Sequence, residues 1–147
     1  MSQTERAALA AFMRGDKFAA RLGIELLEMR PGYARAALTV EPHMVNGHNL
    51  PHGGAIFTLA DFAFAVACNA HGRTAVALSM DIHFLSVAAV GEKLIAEAAE
   101  ENLSRRTGLY RMTVTTEAGQ KIAELHGMAY RKKTPLMADG KTLTRIK

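Results

Sequence analysis

The chain has 147 residues, a mass of 15.9 kDa, 49% hydrophobic and 22% charged residues, and a formal net charge of +4. That composition implies one globular domain over residues 1–147 and excludes extensive disorder. The mild basic excess, with no Trp and 6% aromatic residues, lacks the basic stripe and stacking aromatics of a nucleic-acid binder, so no nucleic-acid partner is expected.

In chain order, the spacing of Ala8, Leu9, Phe12 and Met13 predicts a helix over 4–14, capped by Ser2 or Thr4. Gly15-Asp16 interrupts it, and a short turn over 17–22 follows. Strand-like runs at 24–29 and 33–40 flank Arg30-Pro31-Gly32, which reads as a hairpin. Residues 41–51 form a loop rich in turn formers. The run 55–70 is apolar all round and too long for a strand, so it reads as a buried helix, with Gly72 as its stop. Asp61 near its middle argues against a bilayer span, so no membrane partner is expected. A polar N-terminus without a secretory apolar region points to a cytoplasmic protein.

Four strand candidates complete the chain, at 74–85, 93–101, 108–116 and 120–131, with Ala118-Gly119 closing the last hairpin. Residues 134–147 read as a loose tail, leaving a core of about 15–132. Helix, two strands, a long buried helix and four neighbouring strands predict an α+β fold on an antiparallel sheet. One sheet cannot cover an all-apolar helix on every side, so a second copy of the chain is the expected cover.

One cysteine, Cys68, excludes an internal disulfide and a cysteine-rich zinc site. His43, His48, His71 and His126 have no metal-ligand spacing, so no metal is expected. The sharpest anomaly is Asp61, a carboxylate between Ala60 and Phe62. Either it faces a solvated seam or an arginine, or its apolar setting makes it a general base or nucleophile. His52-Gly53-Gly54 at the helix start is either a plain N-terminal turn or an oxyanion seat made of free N–H groups and the helix dipole. Thr58 shares a helix face with Asp61. Seven positions separate Gly54 from Asp61, about 10 Å along a helix, too far for both to serve one carbonyl from one chain. Asp81 and His83 share a strand face, as a catalytic pair or as part of a polar outer sheet face.

Asn46-Gly47-His48, His52-Gly53-Gly54, Leu59-Ala60-Asp61, Ala63-Phe64-Ala65 and Ala67-Cys68-Asn69 together resemble the hotdog-fold acyl-CoA thioesterases, above all their phenylacetate-degradation branch. The resemblance implies a curved antiparallel sheet around the long helix, and a homodimer that pairs again into a tetramer. It implies an active site shared across the dimer interface. Gly53 would offer its N–H to the thioester carbonyl, Asp61 of the other subunit would attack or activate water, and Asn46 and His52 would flank them. Gly54, Thr58, Phe57, Leu59 and Phe62 are expected along the substrate. No cofactor is expected, since coenzyme A is part of the substrate. Phe84-Leu85-Ser86-Val87 stands where many relatives read Phe-Leu-Arg-Pro, and Arg105 and Arg106, or Arg131-Lys132-Lys133, are expected to hold the CoA phosphates instead. The expected activity is hydrolysis of an aryl or phenylacetyl acyl-CoA. The rival expectations are an enoyl-CoA hydratase or dehydratase using His52 and Asp61, and a non-catalytic acyl-CoA-binding module.

Overall fold

The computed structural model describes residues 1–136. The elements run α1 (Gln3–Arg14), α2 (Lys17–Leu22), β1 (Glu25–Arg30), β2 (Tyr33–Thr39), α3 (Gly53–Asn69), β3 (Arg73–Phe84), β4 (Lys93–Leu103), β5 (Thr107–Thr116) and β6 (Lys121–Pro135). Ser2 caps α1 in a reciprocal pair with Glu5. Asp16 caps α2, and Gly23 ends it at φ 72°, a left-handed conformation that favours glycine.

The strands form one antiparallel sheet in the order β1-β2-β4-β5-β6-β3. The hairpin β1–β2 turns at Pro31-Gly32, and β5–β6 turns at Ala118-Gly119. Along β2, β4, β5 and β6, buried residues alternate with more exposed ones, the signature of a sheet packed on one face. The sheet wraps α3, which touches all six strands. Leu59, Phe64 and Val66 on the helix meet Leu38, Leu94, Met112, Val114 and Leu125 on the sheet in one core. This is the hotdog arrangement.

Two expectations change. The helix α3 is not left for a second copy alone to cover. Both α1 and α2 fold back on it, burying Ala8, Leu9 and Ala19, so residues before 15 belong to the packed body. A stripe of α3 remains less buried than the rest, running through Gly54, Phe57, Thr58, Asp61 and Ala65 at helical spacing. At the other end, Thr134 and Pro135 belong to β6, and Leu136 N–H donates to Gly72 C=O at 3.0 Å. The rest of the expected tail, 137–147, lies outside the described residues.

Asn69 fastens the end of α3 to the start of β3. It is buried, its Nδ2 donates to the Ala65 and Ala75 carbonyls, and its Oδ1 accepts from Ala75 N–H at 3.0 Å. The strand β3 then runs 12 residues along one edge of the sheet, with β6 as its only neighbouring strand among the described residues.

Candidate active site

The site is built at the start of α3. The loop before the helix is closed by Asn46, whose Oδ1 accepts from His48 N–H at 2.9 Å and Leu50 N–H at 3.2 Å, and by the Val45–Pro51 bridge. Those bonds commit the carbonyl oxygen of Asn46 to the turn and leave its NH₂ as the group free to meet a ligand. The chain then enters α3 through His52, which is the N-cap: Nδ1 accepts from Gly54 N–H at 2.8 Å. An accepting Nδ1 puts the proton of the neutral ring on Nε2. His52 N–H itself donates to Met44 C=O at 2.7 Å.

This capping sorts the two glycines. The Gly54 N–H is consumed by His52. The Gly53 N–H donates to no acceptor among the described residues, at the positive end of a 17-residue helix. A Cβ at Gly53 would stand 2.9 Å from Cζ of Phe84, so a larger residue here would have to displace that exposed ring at the end of β3. One at Gly54 would stand 2.9 Å from His52 Nδ1. One turn on, Thr58 donates its hydroxyl to Gly54 C=O at 2.7 Å.

A cavity of about 390 Å³ opens beside this helix start. His52, Gly54 and Thr58 supply its polar rim, and Phe57, Met44, Val45, Phe18 and Leu22 its apolar walls. Of the expected acyl contacts, Phe57 is on the cavity. Phe62 and Leu59 are not: they are 6% and 0% exposed and belong to the core between helix and sheet. Phe18, Leu22, His43, Met44 and Val45 were not anticipated. Phe18 and Leu22 are four residues apart in α2 and so share a face, which was the available signal.

Asp61 lies on the half-buried stripe of α3. Burial pushes its carboxyl above the ordinary value of 3.8, and the negative charge of Asp16, the cap of α2, pushes the same way. Among the described residues it has no salt bridge or hydrogen bond. Because α3 is one unbroken helix, Gly53 and Asp61 remain about 12 Å apart along it. One chain does not bring them together.

The expected phosphate ligands sit elsewhere. Arg105 and Arg106 are exposed in the β4–β5 turn, and Arg73 donates to Arg105 C=O at 3.3 Å. Arg73 begins β3 while Phe84, against Gly53, ends it, a span of roughly 36 Å. Within one chain the arginines and Gly53 are therefore at opposite ends of the molecule. Around Arg105 and Arg106 stand Arg73, Arg131 and Lys132, and none of the five has a salt bridge among the described residues. Asp81 and His83 are 3.5 Å apart and exposed on β3, away from the cavity.

The thioesterase superfamily model matches residues 48–123, a span that holds the capping His52, Gly53 and Asp61. The acyl-coenzyme A thioesterase PaaI of Escherichia coli K12 is 37% identical over 121 residues, covering 82% of this chain and 86% of that protein. The chain belongs to the thioesterase superfamily. Solved thioesterase structures share its fold over most of its length. The E. coli PaaI protein from the phenylacetic acid degradation operon matches with a TM-score of 0.85 and 33% identity, over 92% of this chain and all of that one. A variant of the phenylacetic acid degradation protein PaaI from Thermus thermophilus matches with a TM-score of 0.77 and 39% identity, over 80% and 100%. This hotdog thioesterase is thus a thioester hydrolase, and no helix among its described residues is long and apolar enough to cross a membrane.

Proposed function

We propose that this thioesterase hydrolyses an acyl-CoA with an aryl or phenylacetyl type of acyl group, in the cytoplasm, without a cofactor, at sites shared between paired chains. The observation that carries the reading is the Gly53 N–H, without an acceptor among the described residues, at the positive end of α3 beside an apolar cavity. A thioester carbonyl oxygen accepts that N–H, and charge developing on it is stabilised by the helix start. Asp61 of a second copy stands across the carbonyl. As a base it takes a proton from water while the water oxygen bonds to the carbonyl carbon. As a nucleophile it bonds to that carbon itself and forms an anhydride that water then opens. In both routes the C–S bond breaks, the sulfur leaves as the CoA thiolate and takes up a proton, and the acid is released. His52 offers its Nε2–H, and Asn46 its NH₂, to the flanks. The aryl preference rests on the two PaaI relatives and on the apolar cavity walls. The open β3 edge and the split of Gly53 from Asp61 support a dimer, and we extend this to a dimer of dimers.

The test is release of free thiol from phenylacetyl-CoA, hydroxyphenylacetyl-CoA, hexanoyl-CoA and acetyl-CoA. The wild type is expected to turn over the aryl substrates best, and Asp61→Asn to lose at least about 10²-fold in kcat. A change in enoyl absorbance without thiol release would instead make the protein a hydratase, and tight binding with neither signal a binding module. For the nucleotide, Arg105→Ala with Arg106→Ala should raise KM more at low salt than at high salt, because exposed charges are screened. An unchanged KM at low salt would remove these arginines from the CoA site.

A further inference from the structure

The cavity beside Gly53 has one wall that neither the thioester carbonyl nor the attacking group requires. That wall is α2, six residues held at both ends, by Asp16 Oδ1 accepting from Ala19 N–H at 2.9 Å and by the left-handed Gly23. Ala19 is 2% exposed and anchors α2 in the packed body. Phe18, immediately before it, is 63% exposed and yet lines the cavity together with Leu22. Of the other apolar walls, Met44 is part of the core, and Phe57 and Leu22 pack against it. Phe18 is the large apolar wall residue that stays mostly exposed, on a helix fastened at both ends.

We propose that Phe18 is a specificity-determining residue, the outer wall against which the acyl group of the substrate packs. The inference rests on the reading that Gly53 holds the thioester carbonyl. His52 and Gly54, the neighbours of Gly53 on either side, both border the cavity, so an acyl group attached to that carbonyl has the apolar hollow next to it. The volume of about 390 Å³ is of the size that takes a compact organic group. An aryl acyl group reaches across to Phe18 and covers its ring, as an aromatic pair. An acetyl group stops short of it. Phe18 therefore contributes to binding of bulky acyl groups and contributes nothing to acetyl.

The substitution Phe18→Ala spares the anchor, the cap and the C-terminal glycine, and alanine suits a helix. Thiol release by the wild type and by Phe18→Ala is compared on phenylacetyl-CoA and acetyl-CoA. The ratio of kcat/KM between the two is expected to fall at least tenfold in the variant, within the roughly 10- to 200-fold that apolar pocket contacts discriminate. Phe18→Leu should restore part of the ratio. A ratio unchanged in a folded Phe18→Ala protein overturns the proposal while leaving the thioesterase reading intact. A wild type that releases thiol from no acyl-CoA overturns both. A second measurement avoids turnover: on the Asp61→Asn background, Phe18→Ala should weaken binding of phenylacetyl-CoA but not of free CoA. Equal weakening of both would place Phe18 in the fold rather than in the acyl pocket.

Discussion

Asp61 links stability to pH with a sign that can be read from its surroundings. Burial, and then the charge of Asp16, raise its pKa in the folded chain above the ordinary 3.8. The fold therefore holds the proton more tightly than the unfolded chain does. The stability this gives is fully present below about pH 4 and is lost as pH rises through the folded value. Asp61→Asn cannot ionise and escapes the loss. Its melting temperature should exceed that of the wild type at pH 7, and the gap should close near pH 4. A gap that is the same at both values would show that Asp61 is not held in an unfavourable ionised form. A carboxylate kept at a cost to the fold was legible in the sequence, because a lone Asp among Ala, Phe and Leu does nothing for packing that an apolar residue would not do better. The role of Asp16 was not legible, since it depends on α1 and α2 folding back along α3. Gly53 was singled out in the sequence together with Gly54, but what distinguishes the two rests on which N–H the His52 ring takes, and the close approach to Gly53 comes from Phe84 of a distant strand.

At the scale of elements, every predicted helix and strand has a counterpart within a few residues. The differences have local causes. The apolar run marked the long helix from Ala55, and the His52 cap extends it back to Gly53. Gly72, the expected stop, takes a left-handed φ of 79° just past the last helical residue, Asn69, whose side chain also ties the turn by bonding to Ala75. That makes a prediction. Asn69→Leu fills similar space but strands the buried N–H and C=O of Ala75, at about 1–3 kcal/mol for each unsatisfied group. The variant should lose about 2–6 kcal/mol of stability, read from the shift in urea midpoint at unchanged slope. A loss below about 0.5 kcal/mol would mean that water replaces the amide and that the tie is not what joins α3 to β3.

Across the whole molecule, the sheet order was the part that pattern could not supply. Period-two alternation marks a strand and its buried face, but it carries no record of which strand lies beside which. The pairing of β3 with β6, across the β4–β5 hairpin, is visible only in three dimensions. The shared site is tested by mixing. Asp61→Asn and Gly53→Pro each disable one half of a site. His52 already has φ −65° and ψ 131°, which suits a following proline, but the added ring carbon would press on Phe84. Both variants are therefore built with Phe84→Ala. Each alone should be nearly inactive. Unfolded and refolded together in equal amounts, half the dimers are mixed, and half of their sites are whole. About a quarter of the activity of the Phe84→Ala protein should return for random two-fold pairing. If mixed dimers form, by mass, and no activity returns, Gly53 and Asp61 do not meet across an interface.

The strand order also decides how this chain must be made. Synthesis delivers β3 before β4, β5 and β6, yet the strand it hydrogen-bonds is the last of them. A nascent chain that has just reached Gln120 therefore carries α3 with an unfinished wrapping and β3 with both edges bare. Neither can be satisfied by growing from the front of the chain backwards. The wait ends only when Lys121–Pro135 emerges and closes β3 against β5 through β6. Until then the polypeptide presents its most apolar helix and its longest edge strand to everything nearby, which is the state that chaperones bind and that aggregates grow from.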